Sequence, residues 1–424
     1  MKTQKVFQIR AKLLIKRALG TIVLFIVVLS NRFVQVRIGR INNKVIGHFA
    51  MELDASTLLN KKFVTEKPHL NLYYFAHSVS INKYFEQLVK ERFKVMPQML
   101  LEYAYQFMLA NETLHEHVIS SYDYNLGVTI PASKKLDSNF WMELSSEPPL
   151  LHNGLDEKQD SKKLLLELGS KYEEFACFHV RDSMFKTNEL RDRGFSSWHI
   201  EENAKRSDFR NSEINNFMMA AKYLSSKKIA PIRVGKNMKI INDPTNSFFV
   251  DYSYSGLRSD RSDLLLAANC KFMVCTLSGF SEVSKIFRVP IFYIDLGEFT
   301  YFASKVNSSV KATPVVLPKI IRFKQNQKIL SFAEIKDLNL YEKSTIQFEQ
   351  YLGDPHCPIK LENNSPEVVL KSIELGLNHL EKKCSNLENQ FQRGQMLFSK
   401  LYDLKASLEV PAISPYWPNA SEFI

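Results

Sequence analysis

The chain has 424 residues, 45% of them hydrophobic, which suits two domains plus an appendage and excludes a disordered or fibrous protein. The formal net charge is +11, yet ten of the 56 Lys and Arg residues precede Glu52, the first acid, so the rest of the chain is close to neutral. A nucleic-acid binder would carry its basic patch on a folded domain, so nucleic acid is not expected as a partner.

Met1 to Arg17 is basic and sparsely apolar, Ala18 to Ser30 is almost entirely apolar, and Arg32 and Arg37 follow. The apolar run is shorter than the ~20 residues of a spanning helix. It also lacks the small-residue cleavage pattern of a secretory signal. Residues 1–32 are therefore expected to lie on a membrane surface, Lys and Arg facing anionic headgroups, with a short span or an ordinary packed helix as alternatives.

Residues 33–150 alternate strand-like and helix-like runs and read as a first Rossmann-like domain, on the acceptor side. RFVQVRIG is a strand, HFAMELDASTLLNKK a helix, LNLYYFA a strand and INKYFEQLVKERF a helix. Residues 151–170 read as a linker after Pro148 and Pro149, with an entry helix stopping at Gly169.

Residues 171–385 read as the second domain, which binds the nucleotide. FACFHV is a buried strand. NSEINNFMMAAKYLSSKK is a helix capped by Asn211 or Ser212. IAPIRVG, KFMVC and VPIFYID are strands, with helices DLLLAANC and FSEVSKIF between them. A long helix starts at Ser365-Pro366, and residues 386–424 are its end and a tail. The fold class is thus α/β, with two doubly wound domains facing a cleft beyond the strand ends.

Five cysteines, Cys177, Cys270, Cys275, Cys357 and Cys384, form no C-x-x-C pair, so neither a disulfide framework nor a zinc site is expected. Asp-x-Asp, His-Glu-x-x-His, Gly-x-Gly-x-x-Gly and Walker patterns are missing, so no metal or other cofactor is expected.

Four clusters could carry chemistry. His179 and Arg181 share one face at the end of an apolar strand, and a guanidinium fork suits phosphate; an Arg–Asp pair with Asp182 is the bland alternative. Ser278, Gly279, Phe280 and Ser281 form a strand–turn–helix whose free N–H groups suit phosphate, unless Ser278 is a plain cap. Asp260 and Asp263 open a helix, where acids favour the dipole, and one could bond a ribose or base. In the first domain, Arg40, Asn42, Asn43, Gly47 and His48 lie between strand and helix. A neutral His48 there could act as a general base, or merely cap the helix, with His77 a weaker candidate.

FHVRDS, SDFRNSEINNF, PIRVGK, DYSYSGLRSDRSDLLLAANCKFMVCTLSG and LENNSPEVV, in that order and preceded by RIGRINNKVIGHFA, resemble a family of bacterial surface-polysaccharide glycosyltransferases. That family is distantly similar to GT-B fucosyltransferases carrying a His-x-Arg motif. The resemblance implies a GT-B enzyme. Arg181, with His179 beside it, would neutralise a donor β-phosphate, and Ser278, Gly279 and Phe280 would hold the diphosphate. Asp182 stands where many fucosyltransferases carry a second Arg, so fucose is not implied. The implied partners are a nucleotide sugar and a glycan or lipid-linked acceptor, in surface polysaccharide or lipopolysaccharide synthesis at the cytoplasmic face of the inner membrane. A pyruvyl or other group transferase, and a non-catalytic carbohydrate-binding or scaffold subunit, are the alternatives.

Overall fold

The computed structural model describes residues 2–62, 68–123, 128–131, 140–151, 155–192, 194–236, 238–241, 248–298, 311–340, 343, 345–382, 386–401 and 411–423. The chain divides into two compact units, Met1–Ser138 and Asn139–Ile424. Both are α/β.

The first unit opens with one continuous helix, α1 (Lys2–Ser30). Strands β1 (Gln35–Ile41) and β2 (His69–Phe75) pair in parallel, with α2 (Ile46–Lys62) crossing between them. Bridges Ile38↔Val118 and Tyr73↔Val95 add one parallel neighbour on either side. Helices α3 (Lys83–Arg92) and α4 (Gln98–Leu109) follow, then the hairpin of β3 (Ser121–Asp123) and β4 (Val128–Ile130). Phe49 of α2 is fully buried against Phe85 of α3, ring centroids 4.2 Å apart, and meets Phe75 of β2 edge-on at 5.9 Å, which ties α2 to both helix and sheet.

Helix α1 packs on α4 through Val23, Leu24 and Val27, which join Leu101, Ala104, Tyr105 and Met108 in one cluster. A Cβ on Gly20 would stand 2.5 Å from Tyr103, so the two helices approach as closely as a glycine permits. The opposite side is bare: Ile22, Phe25, Ile26, Leu29 and Phe33 are exposed. The expected apolar run began at Ala18. The helix continues back through the basic residues, and Arg10–Ser30 is 21 residues long, apolar and long enough by length and composition to cross a membrane.

In the second unit, α5 (Phe140–Ser146) and α6 (Leu155–Glu167) lead to β5 (Glu174–His179). Helices α7 (Met184–Asp192), α8 (Ser197–Ser207) and α9 (Met218–Ser226) lead to β6 (Ile229–Arg233). Then come β7 (Val250–Asp251), α10 (Asp260–Asn269), β8 (Met273–Cys275), α11 (Ser281–Ile286), β9 (Ile291–Leu296) and β10 (Val315–Pro318). Strands β11 (Ile320–Phe323) and β12 (Ile359–Glu362) form an antiparallel pair, and β13 (Ala412–Ile413) comes last. The main sheet has seven strands in the order β13-β10-β9-β8-β5-β6-β7, every pairing parallel. A parallel sheet is covered on both faces, which is why all six residues of β9 and four in a row of β5 are buried.

Several elements differ from the sequence reading. The second unit begins at Asn139, so α5 and the Pro148–Pro149 stretch belong to it rather than to a first domain ending at residue 150. The long terminal helix is two helices, Pro366–Leu380 and Asn386–Leu401, and Lys382 between them has φ +50°, which no right-handed helix accommodates. The tail adds the outermost strand, β13, and buries Trp417, whose Nε1 donates to the Lys319 carbonyl at 3.0 Å. Neither Asn211 nor Ser212 caps α9; a 3-10 turn over Ile214–Phe217 comes first. Cys177, Cys270, Cys275 and Cys357 are buried free thiols, and Cys384 lies outside the described residues.

Candidate functional site

The chain enters the seven-stranded sheet at β5, moves outward through β6 and β7, then returns to β8 and moves the other way through β9 and β10. The direction therefore reverses between β5 and β8. In such sheets the loops leaving the two switch-point strands diverge, and the crevice at their carboxyl ends is where ligands bind.

His179 is the last residue of β5, and Thr276 follows the last residue of β8. The two loops are laced together. The Thr276 N–H donates to the His179 carbonyl at 3.2 Å, and the Arg181 N–H donates to Thr276 Oγ1 at 2.9 Å. The His179 imidazole stacks on Phe280, ring centroids 5.3 Å apart and planes 29° from parallel. His179, Arg181, Ser278 and Phe280 thus meet at the switch point. Thr276, which joins them, opens the TLSGFSE segment that the sequence singled out, but no local pattern said that its hydroxyl would hold the Arg181 N–H.

Three polar groups at this place lack protein partners. Among the described residues, the half-buried Arg181 guanidinium makes no hydrogen bond or ion pair. Its expected alternative partner, Asp182, is buried and turned inward. Asp182 accepts from the Met184 N–H at 2.9 Å and the Lys239 N–H at 2.7 Å, and it lies 3.9 Å from Arg233. Among the described residues, the hydroxyl of Ser278 and Nδ1 of His179 are buried without a hydrogen-bond partner. Burial, and beyond it the charges of Arg181 and Arg233, pushes the His179 imidazole down to about 4. The ring is neutral at pH 7. The stability that comes from holding it neutral is complete above the ordinary imidazole value of about 6.5 and is lost as pH falls towards 4.

Ser278 is not the cap of α11; Phe280 occupies that position and makes no side-chain cap. Ser281 closes the turn from inside, donating to the Ser278 carbonyl at 2.7 Å, and Gly279 is exposed at the crest. The structure does not leave Asp263 open to a ligand. It accepts from the Tyr252 hydroxyl at 2.8 Å and from Arg258 at 2.6 Å, and burial raises its carboxyl above the usual range. Asp260 lies in the first turn of α10, where Ser259 is the cap and accepts from the Ser262 N–H at 3.0 Å.

A cavity of 1230 Å³ lies in this unit, lined by Asp208, Asn211, Ser212, Lys319, Glu349 and Asn363 among others. Lys319 follows β10 and is buried. Its ammonium donates to the Asn211 carbonyl at 2.6 Å and to Asn363, and burial lowers its pKa. No local pattern marked Lys319; its partners lie 108 and 44 positions away.

In the first unit, His48 lies in the first turn of α2, where its Nδ1 is 2.5 Å from the Glu52 carboxylate one turn on. The sequence reading rested on the helix terminus alone and missed Glu52, although the i,i+4 spacing was there to see. A carboxylate on Nδ1 orients the ring. Asn43, buried in the loop after β1, donates to the His77 carbonyl at 2.8 Å and to Ser80 Oγ at 2.7 Å, and accepts from the His77 N–H at 2.9 Å. It pins the loops after β1 and β2 together, and burial, then Lys44 and Arg40, lowers the His77 imidazole.

No protein-family model matches the chain, and no curated protein matches it. Three solved structures show likeness. The E. coli ADP-heptose lipopolysaccharide heptosyltransferase II is 12% identical over 61% of this chain and 84% of that one, with a TM-score of 0.32. A glycosyl transferase of family 9 from Veillonella parvula is 10% identical over 81% and 98%, with a TM-score of 0.41. An E. coli heptosyltransferase solved with ADP-2-deoxy-2-fluoro heptose is 11% identical over 61% and 88%, with a TM-score of 0.27.

Proposed function

We propose that the protein is a GT-B-type glycosyltransferase that moves a sugar from a nucleotide-diphosphate sugar to a glycan or lipid-linked acceptor, without a metal ion, in surface polysaccharide or lipopolysaccharide synthesis. The observation that carries this reading is that, among the described residues, the Arg181 guanidinium and the Ser278 hydroxyl are both unpartnered, on two loops joined at the switch point of a parallel sheet.

Breaking a glycosidic bond to a diphosphate leaves negative charge on the departing oxygens. Fixed donors already aimed at that charge lower the barrier without reorganising. Arg181 supplies a full charge and a planar fork; Ser278 supplies a hydroxyl. His179 is neutral, so it contributes a hydrogen bond and, with Phe280, a flat wall rather than charge. The carboxylates and amides around the cavity offer the mixed acceptors and donors that sugar hydroxyls use. His48, oriented by Glu52, takes the proton of the acceptor hydroxyl.

A panel of nucleotide-diphosphate sugars, supplied with a chelator, tests donor class and metal independence together. At least one should be slowly hydrolysed, and its nucleoside diphosphate should raise the melting temperature. Activity lost to the chelator and restored by magnesium or manganese would rule out the metal-free mechanism. No stabilisation by any nucleoside diphosphate would rule out the donor class.

The membrane reading rests on α1, which we propose lies against the cytoplasmic face of the inner membrane. Its inner side is taken by α4, while Ile22, Phe25, Ile26 and Leu29 follow helical spacing on the outer side, with Arg10, Lys12, Arg17 and Arg32 exposed nearby. Removing α1 would uncover Leu101 and Tyr105, so substitution is the cleaner test. The wild type should sediment with anionic vesicles in a salt-sensitive manner. The double variant Phe25→Asn with Leu29→Asn should not, and equal sedimentation of the two would defeat this placement.

A further inference from the structure

We propose that Arg210 is a second cationic binding residue of the strand-end site, gripping the same diphosphate as Arg181; this rests on the reading of that site as a diphosphate site. A diphosphate carries more negative charge than one guanidinium balances, and the loop after β5 offers no second cation, because Asp182 follows Arg181 and faces inward.

The second cation comes from a distant segment that the fold fixes at three points. Asp208–Arg210 is a short turn, and the two residues after it are tied to three strand ends. The Ser212 N–H donates to the Arg181 carbonyl at 2.9 Å, beyond β5. The Ser212 hydroxyl donates to Asp295 Oδ2 at 2.5 Å, in β9. The buried Lys319 ammonium, beyond β10, donates to the Asn211 carbonyl at 2.6 Å. Arg210 is two residues from a direct backbone bond to Arg181, in a segment with little freedom to move. Lys319 is a positioning residue here: it acts on the segment, not on the ligand.

Arg210 is itself under-satisfied. Its guanidinium carbon lies 5.1 Å from the Phe209 ring; among the described residues its Nε–H is buried without an acceptor, and it faces the Glu298 carboxylate at 3.7 Å, beyond a hydrogen bond. Arg181 feels it: after burial, the charge of Arg210 is the next cause holding the Arg181 guanidinium down to about 10. At about 10, Arg181 remains charged at pH 7. Two neighbouring guanidinium groups repel, and an anion bridging them turns that repulsion into two charge-assisted attractions.

Calorimetric titration with inorganic pyrophosphate and with ADP tests this. Arg210→Gln should weaken binding roughly tenfold to a hundredfold, as loss of a charged hydrogen bond does. The double variant with Arg181→Gln should weaken it by less than the product of the two single effects, because both residues hold one anion. If Arg181→Gln weakens binding and Arg210→Gln does not, this inference is overturned while the strand-end reading stands. If neither weakens it, both fall. Should Arg210→Gln fail to fold, Arg210→Lys keeps a charge opposite Glu298. It must still lose several-fold in affinity, because an ammonium cannot reproduce the fork, and unchanged binding in that variant overturns the proposal.

Discussion

Arg181→Ala is expected to lower turnover by about 10²–10³-fold, and Arg181→Lys to recover little of it. A donor aimed at developing charge in a sheltered site is worth ~3–4 kcal/mol of transition-state stabilisation. Arg181 stands at the end of a strand buried on both faces, with its backbone N–H locked to Thr276 and its guanidinium uncommitted. The competing view makes Arg181 a structural partner of Asp182. The geometry argues against it, because Asp182 is already bonded to the Met184 and Lys239 N–H groups and lies beside Arg233. Among the described residues, removing Arg181 leaves no carboxylate stranded, and the melting temperature should hold or rise slightly as the repulsion from Arg210 is relieved. Steady-state kinetics, a thermal melt and calorimetry with nucleoside diphosphates separate the views. A folded Arg181→Ala protein that keeps its nucleoside-diphosphate affinity would remove this residue from the site.

What the sequence showed of this region follows from which contacts are local. Strands β5, β6, β8 and β9 were legible because a parallel sheet buries both faces, so FACF and IFYI read as unbroken apolar runs. Strands β7 and β13 have two residues each, too short for any period to show, and β13 is recruited by a backbone pairing to a strand nearly a hundred residues earlier. His179, Arg181 and the Ser278 turn were legible because each sits at the end of a visible strand. That β5 and β8 are neighbours, and so bring the two together, is a property of strand order that no local pattern carries.

The role of Arg210 was hidden for the same reason. It sits in SDFRNSEINNF, a segment that carries part of the resemblance without marking its arginine, and only the contacts of Ser212 with Asp295 and of Asn211 with Lys319 give it a place. Asp263 erred the other way. Two acids at a helix start looked available, but Tyr252 and Arg258 close on one of them, and a tyrosine eleven positions upstream is not something spacing discloses. Helix α1 was read too short because the basic residues before Ala18 were taken as its flank. On a 29-residue helix those long side chains can reach water while the backbone continues unbroken.

His48→Ala is expected to lower sugar transfer by about 10²–10⁴-fold while leaving nucleoside-diphosphate affinity unchanged. His48 and the switch-point residues belong to different compact units, so a fall in turnover with a constant diphosphate dissociation constant is the signature of a role in acceptor chemistry. Position supports the role. The ring follows β1, on the carboxyl side of a parallel pair, and the Glu52 carboxylate holds its Nδ1, as an orienting acid does. The competing view is that His48 and Glu52 are only an i,i+4 pair on a helix. Such pairs contribute ~0.2–0.5 kcal/mol, so His48→Ala would then shift the melting temperature by a degree or two and leave the rate alone. Glu52→Gln sharpens the comparison. It keeps the length of the side chain but not the charge, so a base oriented by a carboxylate should lose part of its rate, whereas a structural helix pair should lose only its small stability term. Near-normal transfer in His48→Ala, whatever its melting temperature, would return His48 to a structural place at the start of α2 and leave the acceptor base to be found elsewhere.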